Sequence, residues 1–308
     1  MNIEYAIIVK NKTRLETLIE RFNTRAQAKF YIENSGGDYD DYEAEHERFH
    51  QSLSLVQREL SRVIKNKIID RSFLPSFIFN PQQVVVVIGQ DGLVANTAKY
   101  VKEIPIVAVN PDAQRYDGVL LPFHPQNCIS GIESVVNNKY HSRWCSFAEA
   151  AINDGQHLLA FNDLFIGAAS HVSARYKISY RHKSEEHSSS GIIVSTRAGS
   201  TGWMSSVFNM AGGIGKFEKV SIDLNRPPVL SEEQLLFAVR EPFLSRHSRT
   251  DIQMGLLDMQ TPLVIESLMP TGGVIFSDGI EADFIHFNSG SIATITTARN
   301  KANLVLLD

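Results

Sequence analysis

The chain has 308 residues with a formal charge of −4 and a pI near 6.2, a length that leads us to expect two domains. The acidic balance and the lack of a basic cluster exclude nucleic acid as a partner, because counterion release needs a concentrated basic surface. The start, "MNIEYAIIVKNKTRLETLIERF", has no basic flank ahead of an apolar core, and no run approaches the roughly 18 apolar residues of a membrane helix. We therefore expect a soluble, cytoplasmic protein with no membrane partner.

Residues 3 to 10, "IEYAIIVK", read as a strand, and Leu15, Leu18, Ile19 and Phe22 follow at helical spacing. Residues 25 to 34 read as a second helix stopped by Gly36-Gly37. Residues 39 to 65 read as a long charged helix burying Leu53, Val56, Leu60, Val63 and Ile64. That helix holds His46-Glu47-Arg48-Phe49-His50, a literal H-E-x-x-H, the spacing that puts two imidazoles on one face for zinc. Its surroundings, "EAEHERFHQ", are strongly polar, so we read it as a solvated helix face and expect no metal-ligand set.

The run "VVVVI" (84 to 88) is uninterrupted, which suits a parallel strand covered on both faces. It enters Gly89-Gln90-Asp91-Gly92, a helix from about 92 to 102, and a second strand, "IPIVAVN" (104 to 110). This is α/β architecture, and we expect a Rossmann-like parallel domain over 1–124. In open α/β sheets ligands gather beyond the strand carboxyl ends, where this turn falls. Gly89 and Gly92 let the backbone approach a ligand, and the helix start offers free N–H groups to an anion. A phosphate would sit here beside Asp91, which we also expect to cap the helix. Neither G-x-x-x-x-G-K-[ST] nor G-x-G-x-x-G occurs, so the phosphate site is of another kind.

After about residue 140 short β-type runs dominate: "HLLAFNDLFIGAA", "HVSARYKISYRHK", "GIIVSTRAG", "QLLFAVREPF", "TPLVIESL", "GGVIFSDG" and "SIATITTA". We expect a β-rich, sandwich-like domain over 125–308, its last segment packing back on the first domain. Within it "STRAGSTGWMSSVFNMAGG" (195 to 213) leads from a strand through Gly199 into a helix that Ser200 or Thr201 would cap. Cys128 and Cys145 are the only cysteines, which suits a reducing compartment and supplies neither a disulfide framework nor a four-ligand zinc site. The Asn11-Lys12-Thr13 sequon then carries no meaning.

In order, "GQDG" (89 to 92), "VNPDAQRYDGVLLPF" (109 to 123), "FNDLFIG" (161 to 167), "STRAGSTGW" (195 to 203) and "FSDG" (276 to 279) resemble the NAD kinase family, whose pattern is G-G-D-G, an Asn-containing loop, N-E, T-P-T-G-S-T-A-Y and D-G. With its Asn-x-Asp loop and Arg240-Glu241-Pro242, the chain is most similar to the mitochondrial-type NAD kinases and their bacterial relatives. The resemblance implies transfer of the γ-phosphoryl of ATP, with Mg²⁺ bound to the nucleotide, to the adenosine-ribose 2′-hydroxyl of NAD, by a homodimer. It implies Asp91 as the catalytic carboxylate, with Gly89, Gln90 and Gly92 close to the phosphates. Asn110 would meet the ligand, Asn162 and Asp163 would hold adenine and ribose, and Thr196, Ser200, Thr201 and Trp203 would line the nucleotide pocket.

The chain departs from the pattern at four places. Gln90 stands for the second glycine, Leu93 for the following Thr, Asp163 for Glu, and Arg197-Ala198 for Pro-Thr. A related kinase acting on a sugar, lipid or other nucleoside hydroxyl, and a non-catalytic nucleotide-binding regulatory protein, are the alternative readings.

Overall fold

Val84 to Ile88 are fully shielded from solvent in the computed structural model, which describes residues 3–219 and 226–307, with backbone alone for 281–283. This strand, β3 (Gln83–Ile88), is central in a parallel sheet that also holds β1 (Tyr5–Lys10), β2 (Lys65–Asp70) and β4 (Pro105–Val109) in the order β2-β1-β3-β4. The helices are α1 (Arg14–Phe22), α2 (Arg25–Asn34), α3 (Tyr39–Val63), α4 (Asp91–Val101) and α5 (Cys128–Val136). One face of the sheet, with Ile8, Val84, Val86, Ile88 and Val107, is covered by Leu53, Val56 and Leu60 of α3 and by Cys128, Ile132 and Val135 of α5. The alternation 84, 86, 88 on that face follows from the two-residue repeat of a strand.

The chain divides into two units, residues 1–143 with 302–308, and residues 144–301. The division falls after Arg143 rather than after residue 124, because α5 buries its apolar face in the first unit's core. Helix α3 stops at Val63, which is exposed, and its buried stripe is Phe49, Leu53, Val56 and Leu60. Strand β2, "KNKIID", escaped the sequence reading because only Ile69 of it is buried, as an edge strand allows. The H-E-x-x-H histidines are a second correction. His46 and His50 are half-buried against α1, the first bonded to the Thr13 hydroxyl and the second to Glu16, so they do not form a solvated face.

The second unit is built from β5 (Ser142–Ile152), β6 (His157–Ala160), β7 (Asp163–Ala168), β8 (Ala174–Tyr180), β9 (Lys183–Ser189), β10 (Ile192–Ser195), α6 (Trp203–Phe217), β11 (Leu235–Val239), β12 (Met254–Leu257), β13 (Leu263–Ser267), β14 (Gly273–Ser277), β15 (Ile280–His286) and β16 (Ile292–Val305). Strands β12-β11-β10-β7-β14-β15 form one antiparallel layer, and β16-β13-β8-β9, with β5 and β6 beside β16, the other. Ile166, Val194 and Phe237 from the first layer pack with Tyr176, Ile178, Ile265 and Ile295 from the second. Helix α6 sets Met204 and Phe208 on the first layer's other face, against Ile193, Leu236 and Ala238. Beyond Lys301 strand β16 belongs to the first unit, where Asn303 and Leu304 pair in parallel with Pro105 and Ile106.

Candidate functional site

The strand order reverses direction between β1 and β3, which run parallel with Lys10 opposite Ile88. The loops leaving these two strands must diverge, and the crevice they leave is where open α/β sheets take ligands. A cavity of about 350 Å³ lies there, bordered by Lys12, Thr13 and Arg14 after β1 and by Gly89, Gln90 and Gly92 after β3. Arg71, directly after β2, and Asp112, after β4, complete it, so all four strand ends contribute. Arg14 is ion-paired with Asp41 and with the buried Glu45, and Asp112 with Arg48. Arg71 is half-buried and donates from Nε to Asn96 Oδ1 at 3.2 Å, with no carboxylate paired to it among the described residues.

Asp91 is the first residue of α4 and does not cap it; the cap position is Gln90, whose side chain makes no capping bond. The Asp91 carboxylate turns instead to the 110–121 loop and accepts the Leu120 N–H through Oδ1 at 2.7 Å. Gln90 has φ −104° and ψ 166°, extended backbone open to any residue, so this turn does not demand glycine at its second position. Gln90 lines the cavity beside Tyr116, whose hydroxyl donates to Glu45 at 3.3 Å. A Cβ at Gly89 would come within 2.9 Å of the Leu93 side chain, whereas one at Gly92 would meet nothing within 4 Å. Asn110 is buried and works inside its own loop: Nδ2 donates to the Tyr116 carbonyl and Oδ1 accepts the Asp112 N–H, each at 3.0 Å. Both bonds hold its own loop in shape.

In the second unit three of the singled-out segments meet. Asp278 and Gly279, both at positive φ, form the two-residue hairpin turn from β14 to β15. The Asp278 carboxylate accepts the N–H groups of Phe161, Asn162 and Asp163. On the other side Thr196 donates its N–H to the Asn162 carbonyl and its hydroxyl to the Phe161 carbonyl, and accepts the Gly199 N–H. The two backbones lie so close that a Cβ at Gly199 would sit 2.3 Å from the Asn162 oxygen. Asp163 is half-buried there, with its Oδ1 shielded from solvent. Its Oδ1 has no hydrogen-bond partner, and burial, reinforced by the nearby Asp278 charge and opposed by a bond to Ser195, pushes its carboxyl up to about 7.

Helix α6 is capped at Gly202, with a single 3₁₀ turn, 199–201, before it, so neither Ser200 nor Thr201 caps the helix. Ser200 donates to the Arg197 carbonyl, and Thr201 is exposed. Trp203 stacks on Phe165 at 5.6 Å with 12° between planes, and the Arg240 guanidinium lies 5.4 Å over its ring. Arg197 is exposed and lies 3.7 Å from Glu232.

No protein-family model matches the chain, and no curated protein sequence does either. Solved structures do. Yeast NADH kinase complexed with NADH superimposes with a TM-score of 0.62 at 12% identity, covering 100% of this chain and 85% of that one. The NAD kinase from Archaeoglobus fulgidus in complex with ATP gives 0.57 at 14% identity, covering 97% of this chain and 92% of that one. The chain has the NAD kinase fold.

Within that fold the structure brings Gly89, Gln90 and Gly92 to one cavity, and Asn162, Asp163, Thr196 and Gly199 to one backbone junction. Lys12, Arg14 and Arg71 went unnoticed in the sequence. Their signal was positional: each follows the end of a parallel strand within four residues.

Proposed function

We propose that the chain is an ATP-dependent NAD(H) kinase of the mitochondrial type, phosphorylating the adenosine-ribose 2′-hydroxyl. The observation that carries this reading is the cavity at the β1/β3 reversal, where Gly89, Gln90 and Gly92 face Lys12, Arg14 and Arg71. Cations around a strand-to-helix turn suit a polyphosphate, and phosphoryl transfer depends chiefly on positioning and charge neutralisation. Glu45 and Asp112 are already paired with arginines, so an Mg²⁺ arriving on the triphosphate would keep its waters, which Asp91 would hold, and would supply neutralisation of phosphate charge.

Asp91 is held through Oδ1, and its other oxygen accepts the proton of the attacking hydroxyl as the new P–O bond forms and ADP leaves. In the second unit Asn162 reads the adenine edge and Asp163 the ribose hydroxyls. Thr196 fixes that segment, Ser200 and Thr201 offer hydroxyls, and Trp203 a ring edge. We also infer a homodimer in the cytoplasm: α6 exposes Met210, Ile214 and Phe217 at helical spacing, and both cysteines are buried free thiols. Light scattering tests the assembly.

Incubation with ATP, Mg²⁺ and NAD or NADH should yield the 2′-phosphorylated dinucleotide, detected by an NADP-specific dehydrogenase. Because Gln90 borders the phosphate cavity where the family has glycine, a second reading is a nucleotide-binding protein without turnover. Tight NAD binding with no product from either acceptor would favour it.

A further inference from the structure

The two histidines of the H-E-x-x-H of α3 do not line the cavity, yet they are not idle. His46 and His50 are four residues apart on one face, their ring centroids 4.4 Å from each other. From α1, Glu16 reaches the same point, with Oε1 3.0 Å from His50 Nε2 and Oε2 held by the Thr13 N–H. One donor atom from each of the three side chains falls within 4.8 Å of the other two.

We propose that Glu16, His46 and His50 form a binding site for a divalent transition ion, Zn²⁺ by its donor set, that clamps α1 to α3. Two imidazoles and a carboxylate are borderline donors of the kind zinc takes, and magnesium and calcium prefer oxygen alone. With bonds of about 2.0–2.1 Å, tetrahedral ligand atoms stand roughly 3.4 Å apart, so the three side chains need to draw in by about 1 Å. Small torsions accomplish that, since both helices are anchored, α1 by the buried Leu15 and α3 by the buried Phe49 and Leu53. The ion takes the place of the proton that His50 and Glu16 share in their hydrogen bond.

The clamp is not a hydrolytic centre. Glu47, the residue that would serve as general base in such a motif, is exposed, and the fourth coordination position goes to water. Its effect is on the wall of the cavity: Arg14 and Glu45, which line it and pair with each other, lie two and one residues from ligands on their respective helices. The site stands whether or not the chain is a kinase.

The test begins with chelator-treated full-length protein titrated with Co²⁺ and, separately, with Zn²⁺. About one equivalent of either should bind per chain, Co²⁺ giving the intense visible bands of tetrahedral coordination and Zn²⁺ raising the thermal midpoint. The double variant His46→Asn/His50→Asn should lose both responses while its metal-free far-UV spectrum matches the parent's. Should that variant not fold, His50→Gln alone should still abolish the tetrahedral cobalt bands. A parent that takes up no equivalent, or a folded variant that keeps the parent's cobalt spectrum, overturns the proposal.

Discussion

The Asp91 carboxylate is hydrogen-bonded to the backbone N–H of Leu120, 29 residues further along the chain. A side chain that the sequence suggests as a local cap thus ties the G-Q-D-G turn to the distant 110–121 loop. Asn keeps an acceptor oxygen for that bond and removes the charge that would take a proton. Asp91→Asn should therefore unfold within about 0.5 kcal/mol of the parent and still bind nucleotide, with phosphoryl transfer lower by roughly 10²-fold or more. Turnover at the parental rate would rule out the catalytic role.

Arg71 is the cavity cation without a carboxylate partner among the described residues, which leaves its charge available to a phosphate. Arg71→Gln keeps an amide donor for Asn96 and loses the charge. The KM for ATP should rise by roughly 10- to 100-fold, the scale of a lost charge-assisted hydrogen bond, with the KM for NAD unchanged. An unaltered ATP KM would place the triphosphate elsewhere.

Asp163 gives the protein a pH dependence with a definite sign. Its carboxyl, ordinarily near 3.8, is pushed up to about 7 by burial, so the folded state holds the proton more tightly than the unfolded state. That stabilisation is complete below pH 3.8 and is lost as pH rises towards 7, amounting to roughly 4 kcal/mol across the window. Asp163→Asn cannot titrate. In urea unfolding at pH 5 and pH 8, the variant should gain on the parent at the higher pH by about 2–3 kcal/mol; parallel pH profiles would show that the carboxyl is not perturbed.

Two glycines should respond oppositely to an added methyl. At Gly199 the new Cβ would press on the Asn162 carbonyl, so Gly199→Ala should cost about 1–3 kcal/mol or more and weaken NAD binding. Gly92 sits in the first turn of α4 with open space around it, and Gly92→Ala should be neutral or stabilising by up to about 1 kcal/mol. Paired melting curves and NAD titrations decide it, and equal losses would mean that neither position is packed as described.

What could be read in the residues depended on how locally each feature is encoded. The Val84–Ile88 run announced a doubly covered strand because both its faces are apolar, and the Asp278-Gly279 turn is visible as a dipeptide. Strand β9, "KSEEHSS", was invisible because it pairs on one side only and carries mostly polar side chains. The cavity cations were hidden for a different reason. Lys12 and Arg71 come to the Gly89 turn only through the lateral order β2-β1-β3-β4, which no local pattern states. His46 and His50 were misjudged because the polar neighbours in sequence point elsewhere, while Glu16 and Thr13, which cover them, lie some thirty residues earlier.

The tail of β16 has a consequence for synthesis on the ribosome. Ala302, Asn303, Leu304 and Val305 are buried in the first unit, with Asn303 Nδ2 donating to the Glu103 carbonyl and to the Tyr140 hydroxyl. The unit that holds β1 is therefore completed by residues translated after every strand of the other unit. Until then β4 has an open edge, the kind of surface on which nascent chains pair wrongly. A messenger truncated just before codon 302 would yield a chain with every cavity residue present and that edge uncovered, a substrate for chaperones rather than for catalysis.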